Sequence, residues 1–260
     1  MKIGFLGYGN LARAIDRGLI SKNLLPAGNI CVCAKTEATL TNARAKGHMT
    51  CHTAEELFEI CDIVLIAVKP KVFFEISHEL ESVDTTGKRV VSLMAAVHID
   101  VIEKVMRCPV LRIMPSLASA NAVDVIGYTV GESTAPLFED FLTLITGLGE
   151  VVGLEEDMLD RLTVASSCGL GFAAHILDVY KDKCINYGFS PEQSEMITRR
   201  MFSYAADSGK ESGESFAELR SRVATKGGAT EAGNQAMDKP LRDAVDAAFN
   251  AAGERAIPKK

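Results

Sequence analysis

The stretch "KIGFLGYGNLA" (residues 2–12) decides the fold. Residues 2 to 7 read as a short buried strand, and glycines at 7 and 9 with alanine at 12 spell G-x-G-x-x-A as a helix begins. Glycines fall at this spacing by chance, but strand, turn and helix in this order are what a dinucleotide-binding turn requires. Gly7 permits the tight turn, Gly9 lets a pyrophosphate approach the backbone, and Ala12 lets helix and strand pack closely. The helix opens with Asn10 and Leu11, whose exposed N–H groups and dipole favour phosphate.

The same grammar continues outward. "NICVCA" (29–34), "DIVLIAV" (62–68), "RVVSLMA" (89–95) and "CPVLRIM" (108–114) are short, continuous apolar runs, as expected of strands buried on both faces of a parallel sheet. Helical segments separate them: "EATLTNARAKG", "TAEELFEIC" with a Thr53-x-x-Glu56 capping box, and "HIDVIEKVM". "DVIGYTVG", "FEDFLTLITGLG" and "EVVGL" add a final strand, helix and strand, ending the domain near residue 153. This alternation predicts a Rossmann-type, doubly wound, mainly parallel α/β domain over 1–153.

Past Leu154 the strand vocabulary stops. A long apolar helical pattern runs to residue 188, with the small residues "ASSCGLG" in its middle. "SPEQ" at 190 and "SFAE" at 215 are capping boxes that open two more helices, and a last helical segment follows a break at Pro240. Residues 154–260 therefore read as an all-α domain, whose alanine-rich apolar helices suit a homodimer.

Composition narrows the function. A net charge of −6 with no basic face argues against a nucleic-acid binder. No run reads as long and apolar enough to span a bilayer. The N-terminus turns glycine-rich where a signal peptide would continue, and seven cysteines without metal-ligand spacing fit reduced thiols in a cytoplasm. No metal site is expected.

The end of the second apolar run indicates the cofactor. An acid there would hydrogen-bond the ribose 2′-hydroxyl and repel a 2′-phosphate. "CAKTEA" instead offers Lys35 and Thr36, which suit the phosphate, with the acid Glu37 next to them. NADPH is expected over NADH.

Six segments together, "GFLGYGNLARAIDRGLI", "DIVLIAVKP", "VVSLMAAV", "VLRIMPS", "LTVASSCGLGF" and "VATKGGATEAG", resemble the pyrroline-5-carboxylate reductases over nearly the whole chain. The resemblance implies reduction of a five-membered cyclic imine to L-proline with NAD(P)H, and helical domains that interlock two subunits or larger rings of dimers. Carried over by position, Ala67, Val68, Lys69 and Pro70 would line the nicotinamide ribose, and Met114 and Pro115 would sit beside the nicotinamide ring. The loop Thr225, Lys226, Gly227, Gly228, Ala229 and Thr230 would hold the substrate, its N–H groups taking the carboxylate and the Thr230 hydroxyl meeting the ring nitrogen. Elementary physics agrees with the loop: two glycines remove Cβ atoms that would block a ligand, and a helix N-terminus follows.

Three segments depart from the family pattern. "MPSLAS" stands for M-x-N-T-P, "SSCGLGF" for SGSGPAY, and "TKGG" for SPGG. Lys226 thus stands where proline is usual, either strengthening the carboxylate site or pointing into solvent. Related β-hydroxyacid dehydrogenases use a lysine in G-x-x-x-K, where this chain has Gly171 followed by His175. Reduction of a different cyclic imine or biosynthetic intermediate, and NADP binding without catalysis, stay open as alternatives.

Overall fold

Short runs of Ile, Val and Leu with both faces covered can satisfy their backbone only by pairing with one another. In a computed structural model, which describes residues 1–210 and 212–257, they form one eight-stranded sheet in the order β3-β2-β1-β4-β5-β6-β7-β8. The strands are β1 (Ile3–Leu6), β2 (Ile30–Cys33), β3 (Met49–Cys51), β4 (Ile63–Ile66), β5 (Arg89–Ser92), β6 (Val110–Met114), β7 (Asp124–Val130) and β8 (Gly149–Gly153). All neighbours are parallel except β6 and β7, which a short connection joins antiparallel. Every residue of β1, β2, β4 and β6 is buried.

Helices cover both faces: α1 (Asn10–Ser21), α2 (Glu37–Ala45), α3 (Ala54–Ile60), α4 (Pro70–Glu75), α5 (Ser77–Glu81), α6 (Ile99–Met106) and α7 (Glu139–Ile145). One core cluster contains Phe5, Ile15, Leu65, Leu111 and Phe141; the other contains Leu57, Val64, Phe73, Val90 and Ile102. The edge strand β3 is three residues long and carries no extended apolar run, which is why the sequence does not announce it.

The chain forms two compact units, Met1–Ser167 with Gly253–Lys260, and Cys168–Ala252; residues 258–260 lie outside the described ones. The compact division falls after Ser167, because α8 (Glu156–Leu162) packs with the nucleotide-type unit. Long-range ion pairs fix it there. Arg112 of β6, fully buried, reaches Glu156 at 2.7 Å and Asp160 at 2.8 Å. A π-helical segment, Thr163–Cys168, follows α8 at the small-residue patch.

The second unit contains α9 (Gly169–Asn186), α10 (Pro191–Asp207), α11 (Phe216–Val223) and most of α12 (Ala229–Ala256). Of the three expected capping boxes, those at Ser190 with Gln193 and at Ser215 with Glu218 close; at Thr53 the hydroxyl accepts from Glu56 N–H, but the Glu56 carboxylate accepts from His52 N–H instead of Thr53 N–H. Pro240 does not break the last helix, contrary to expectation; α12 runs through it. Proline withholds one N–H, so within so long a helix only the carbonyl of Ala236 loses its partner. Tyr180 meets Phe202 edge-on at 5.3 Å, and Phe172 lies 5.8 Å from Phe249. Large apolar side chains nevertheless remain exposed, among them Ile176, Val179, Tyr204, Met237, Val245 and Phe249. The helical stretch Glu156–Asn186 reaches a mean hydropathy of 1.4 with 6% of that window buried, so by length and composition one segment does meet the requirement for a bilayer span, against expectation. Exposed apolar surface of this extent on a helical unit marks an interaction face.

Candidate functional site

The nucleotide turn is built as its sequence requires. Gly7 takes φ +91°, a left-handed value, and a Cβ there would lie 2.7 Å from Val68 Cγ1 and 3.2 Å from the Ala67 carbonyl oxygen. Its N–H donates to the Cys33 carbonyl at 2.9 Å, and Ala67 N–H donates to Leu6 at 2.9 Å. The turn is thereby clamped between the ends of β2 and β4, which brings Gly7, Ala67 and Val68 together. Gly9 is the N-cap of α1, and nothing lies within 4 Å of where its Cβ would be, which leaves room for a phosphate against backbone. Asn10 is exposed and Leu11 half-buried in the first turn.

At the end of β2, Lys35 and Thr36 are exposed, and Thr36 is the N-cap of α2, its hydroxyl 2.8 Å from that of Thr39. Glu37 is occupied elsewhere: its carboxylate meets Arg44 Nη2 at 2.8 Å, and Arg44 chiefly holds it below the usual carboxylate range. The acid beside Lys35 is therefore bound along its own helix, leaving Lys35 and Thr36 as the groups at the strand end.

Lys69 is exposed as the N-cap of α4, and Pro70 occupies its first turn. Met114 and Pro115 are buried at the end of β6. The loop after them owes its shape to a residue that sequence reasoning missed. The buried carboxylate of Asp124 accepts from Ser116 N–H at 2.7 Å, from the Ser116 hydroxyl at 2.7 Å, from the Ser119 hydroxyl, and from Val125 N–H at 2.9 Å. The serines of "MPSLAS" thus fold the departure from the family pattern around one buried acid. Gly18 seals the other side: a Cβ there would lie 2.2 Å from the Ser119 carbonyl oxygen.

A second missed cluster lies behind the nucleotide turn. Tyr8, between the two glycines, is buried and donates its hydroxyl to Asp16 Oδ2. Asp16 Oδ2 also takes Lys46 Nζ at 3.2 Å, while Oδ1 faces His48 Nε2 at 3.0 Å. His48 Nδ1 lies 3.1 Å from the Ala27 carbonyl, so an oxygen stands near each ring nitrogen. Burial alone would lower the His48 pKa, but the Asp16 carboxylate and the Ala27 carbonyl outweigh it and hold the pKa above the ordinary value. Burial would likewise raise Asp16, but His48, Tyr8 and Lys46 hold it below the usual range. The signal was the aromatic residue inside G-x-G; its partners are eight to forty residues away and carry no local motif.

In the helical unit, Thr225 to Gly228 form a turn leading into α12. Gly227 takes φ +75°, and Gly228 N–H donates to the Thr225 carbonyl at 2.9 Å. Glu231 already accepts from Gly227 N–H at 2.6 Å, so that donor is not free as the sequence suggested. The first-turn N–H groups of Ala229, Thr230 and Glu231 have no intrahelical acceptor. Lys226 and Thr230 are both exposed. His175 is exposed as well, with no role in the turn.

Comparison with known proteins divides the chain at the start of α8 rather than after Ser167. Residues 156–258 match the family described as pyrroline-5-carboxylate reductase dimerisation, and residues 2–96 match that described as NADP oxidoreductase, coenzyme F420-dependent. The chain is 28% identical to the pyrroline-5-carboxylate reductase of Staphylococcus aureus strain COL, over 99% of this chain and 97% of that one. It superposes on a solved pyrroline-5-carboxylate reductase from Coxiella burnetii with a TM-score of 0.80 at 26% identity, covering 98% and 97% of the two chains. It also superposes on the Plasmodium falciparum pyrroline carboxylate reductase solved with NADP bound, with a TM-score of 0.88 at 21% identity over 98% and 97%.

Proposed function

This chain belongs to the pyrroline-5-carboxylate reductase family, and from that premise we propose that it reduces 1-pyrroline-5-carboxylate to L-proline with NADPH. It is an NAD(P)H-dependent oxidoreductase with a Rossmann-like unit followed by a helical dimerisation domain. The observation that carries the reading is the pairing of a clamped G-x-G turn with Lys35 and Thr36 at the end of β2, the neighbouring acid being tied to Arg44. That arrangement fits NADP, and it favours NADPH over NADH.

Bound NADPH supplies a hydride to the imine carbon. The chain's own residues mainly position the reactants, because a protonated C=N bond is already electrophilic and needs little acid catalysis. The Gly7–Gly9 turn and the start of α1 hold the pyrophosphate through backbone N–H groups. Lys69, Pro70, Met114 and Pro115 are the residues that would border the cofactor's nicotinamide end. The first-turn N–H groups of α12 take the substrate carboxylate, displacing the Glu231 side chain from Gly227, and the Thr230 hydroxyl accepts from the protonated ring nitrogen. Lys226 extends into solvent.

The helical unit supports homo-oligomers, and a second copy of the chain covers the apolar residues left bare on α9 to α12. A cytoplasmic location suits the seven free cysteines. A second reading, reduction of a different cyclic imine, is favoured by the rebuilt loop around Asp124, which lies next to the expected nicotinamide position. Steady-state kinetics with 1-pyrroline-5-carboxylate and a panel of cyclic imines test both: preference for another imine would replace the proposed substrate. Thr230→Ala should lower kcat while leaving NADPH affinity within about twofold, and wild-type kinetics would remove Thr230 from the site.

A further inference from the structure

The loop Ala95–Ile99 follows β5 at the carboxyl edge of the sheet, in the half formed by β4 to β6. In sheets of this order, a dinucleotide lies across that edge, one mononucleotide to each half. Ala96 takes φ +60°, a left-handed conformation that residues other than glycine adopt only at a cost. It is exposed, while Met94 and Val97 on either side are buried, so the strained peptide is what the loop presents outward.

Two carboxylates hold it so. Asp160 Oδ1 accepts from Ala96 N–H at 3.2 Å, and Glu156 Oε1 accepts from Ile99 N–H at 2.8 Å. Arg112 binds both acids, Nη1 to Glu156 Oε1 at 2.7 Å and Nη2 to Asp160 Oδ1 at 2.8 Å, and Nη2 also reaches the Met94 carbonyl at 3.3 Å. His98, within the loop, stands 3.5 Å from each of the remaining carboxylate oxygens. Arg112 and Asp160 are buried almost completely. A buried ion pair is a poor stabiliser compared with apolar packing and is better explained by the geometry it imposes. Hydride transfer itself does not need these groups, and β5 and β6 would pair without them.

We propose that Arg112, acting through Asp160 and Glu156, is a positioning residue that holds the Ala95–Val97 backbone in the shape that receives the nicotinamide half of NADPH. The assignment rests on the cofactor orientation in the proposed function, and its test reads binding rather than turnover. NADPH affinity and that of adenosine 2′,5′-bisphosphate, which lacks the nicotinamide, are measured by titration on the full chain. Asp160→Ala should weaken NADPH about tenfold, a change of roughly 1.4 kcal/mol in binding, and leave the bisphosphate within about twofold. Ala96→Gly in that background should recover at least about threefold, because glycine takes the left-handed shape freely. Arg112→Lys, which keeps the charge without the fork, should lose less than Arg112→Met.

Should Asp160→Ala fail to fold, Ala96→Val carries the same comparison, because a β-branched residue resists this φ. It should weaken NADPH about fivefold and spare the bisphosphate. Parallel loss of both ligands, or loss of neither, overturns the proposal. A wild-type protein that binds NADPH but reduces no imine would instead overturn the proposed reaction and leave this assignment standing.

Discussion

Replacing Asp16 by Asn tests whether the buried cluster behind the nucleotide turn is ionic. The substitution keeps shape but strips the charge from a carboxylate that is 2% exposed and faces His48 Nε2 at 3.0 Å and Lys46 Nζ at 3.2 Å. Removing one member of a buried pair leaves the other charge uncompensated, which costs about 3–5 kcal/mol. For a chain of this size that corresponds to a fall in Tm of roughly 6–20 °C. The sign with pH follows from the two shifts. Asp16 is held below the usual carboxylate range, so its contribution is present above its unfolded pKa and lost as pH falls through the folded one. His48 is held above its ordinary value, so its contribution is complete below its unfolded pKa and lost as pH rises through the folded one. The gap between wild type and Asp16→Asn should therefore be widest between about pH 4 and pH 6.5 and narrow on the alkaline side. Thermal unfolding across that range measures it. Equal Tm values near pH 6, or a gap that widens toward pH 9, would refute an imidazolium–carboxylate pair. Because Tyr8 binds the same carboxylate from within the G-x-G turn, NADPH affinity should fall alongside.

Other substitutions address the cofactor edge. Lys35→Ala removes an exposed cation from the proposed 2′-phosphate site and should raise the KM for NADPH about tenfold, with little change for NADH and a smaller effect at high salt; equal effects on both cofactors would take Lys35 out of that role. Gly18→Ala must push α1 away from the Ser119 carbonyl, which a Cβ would approach to 2.2 Å, at a cost of about 1–3 kcal/mol in unfolding experiments. Asp124→Ala strips the loop after β6 of its hydrogen-bond acceptor; it should raise the KM for the imine more than that for NADPH, and unchanged kinetics would show the loop to be remote from the substrate.

The nucleotide-type fold was legible because its determinants are local. The glycine turn, the doubly buried strands and the capping boxes at Ser190 and Ser215 each declare themselves within a few residues. The expectation of NADPH came from Lys35 and Thr36 at a fixed place on the chain; that Glu37 pairs with Arg44 became visible only in the structure. What escaped depends on distant partners. Arg112 reads as one charge inside an apolar strand, and only the arrival of Glu156 and Asp160 explains it and assigns α8 to the first unit. Asp124 and His48 are likewise silent in sequence, because their partners are gathered by tertiary packing. Pro240 misled in the other direction: a local rule predicted a break that a long helix absorbs.

The central claim is tested most directly by mixing the purified chain with NADPH and 1-pyrroline-5-carboxylate and following the loss of reduced-nicotinamide absorbance together with the appearance of L-proline. NADPH consumption matched by an equal yield of proline is the predicted result. NADPH binding with no proline formed, at substrate concentrations that saturate any other imine the chain reduces, would contradict it.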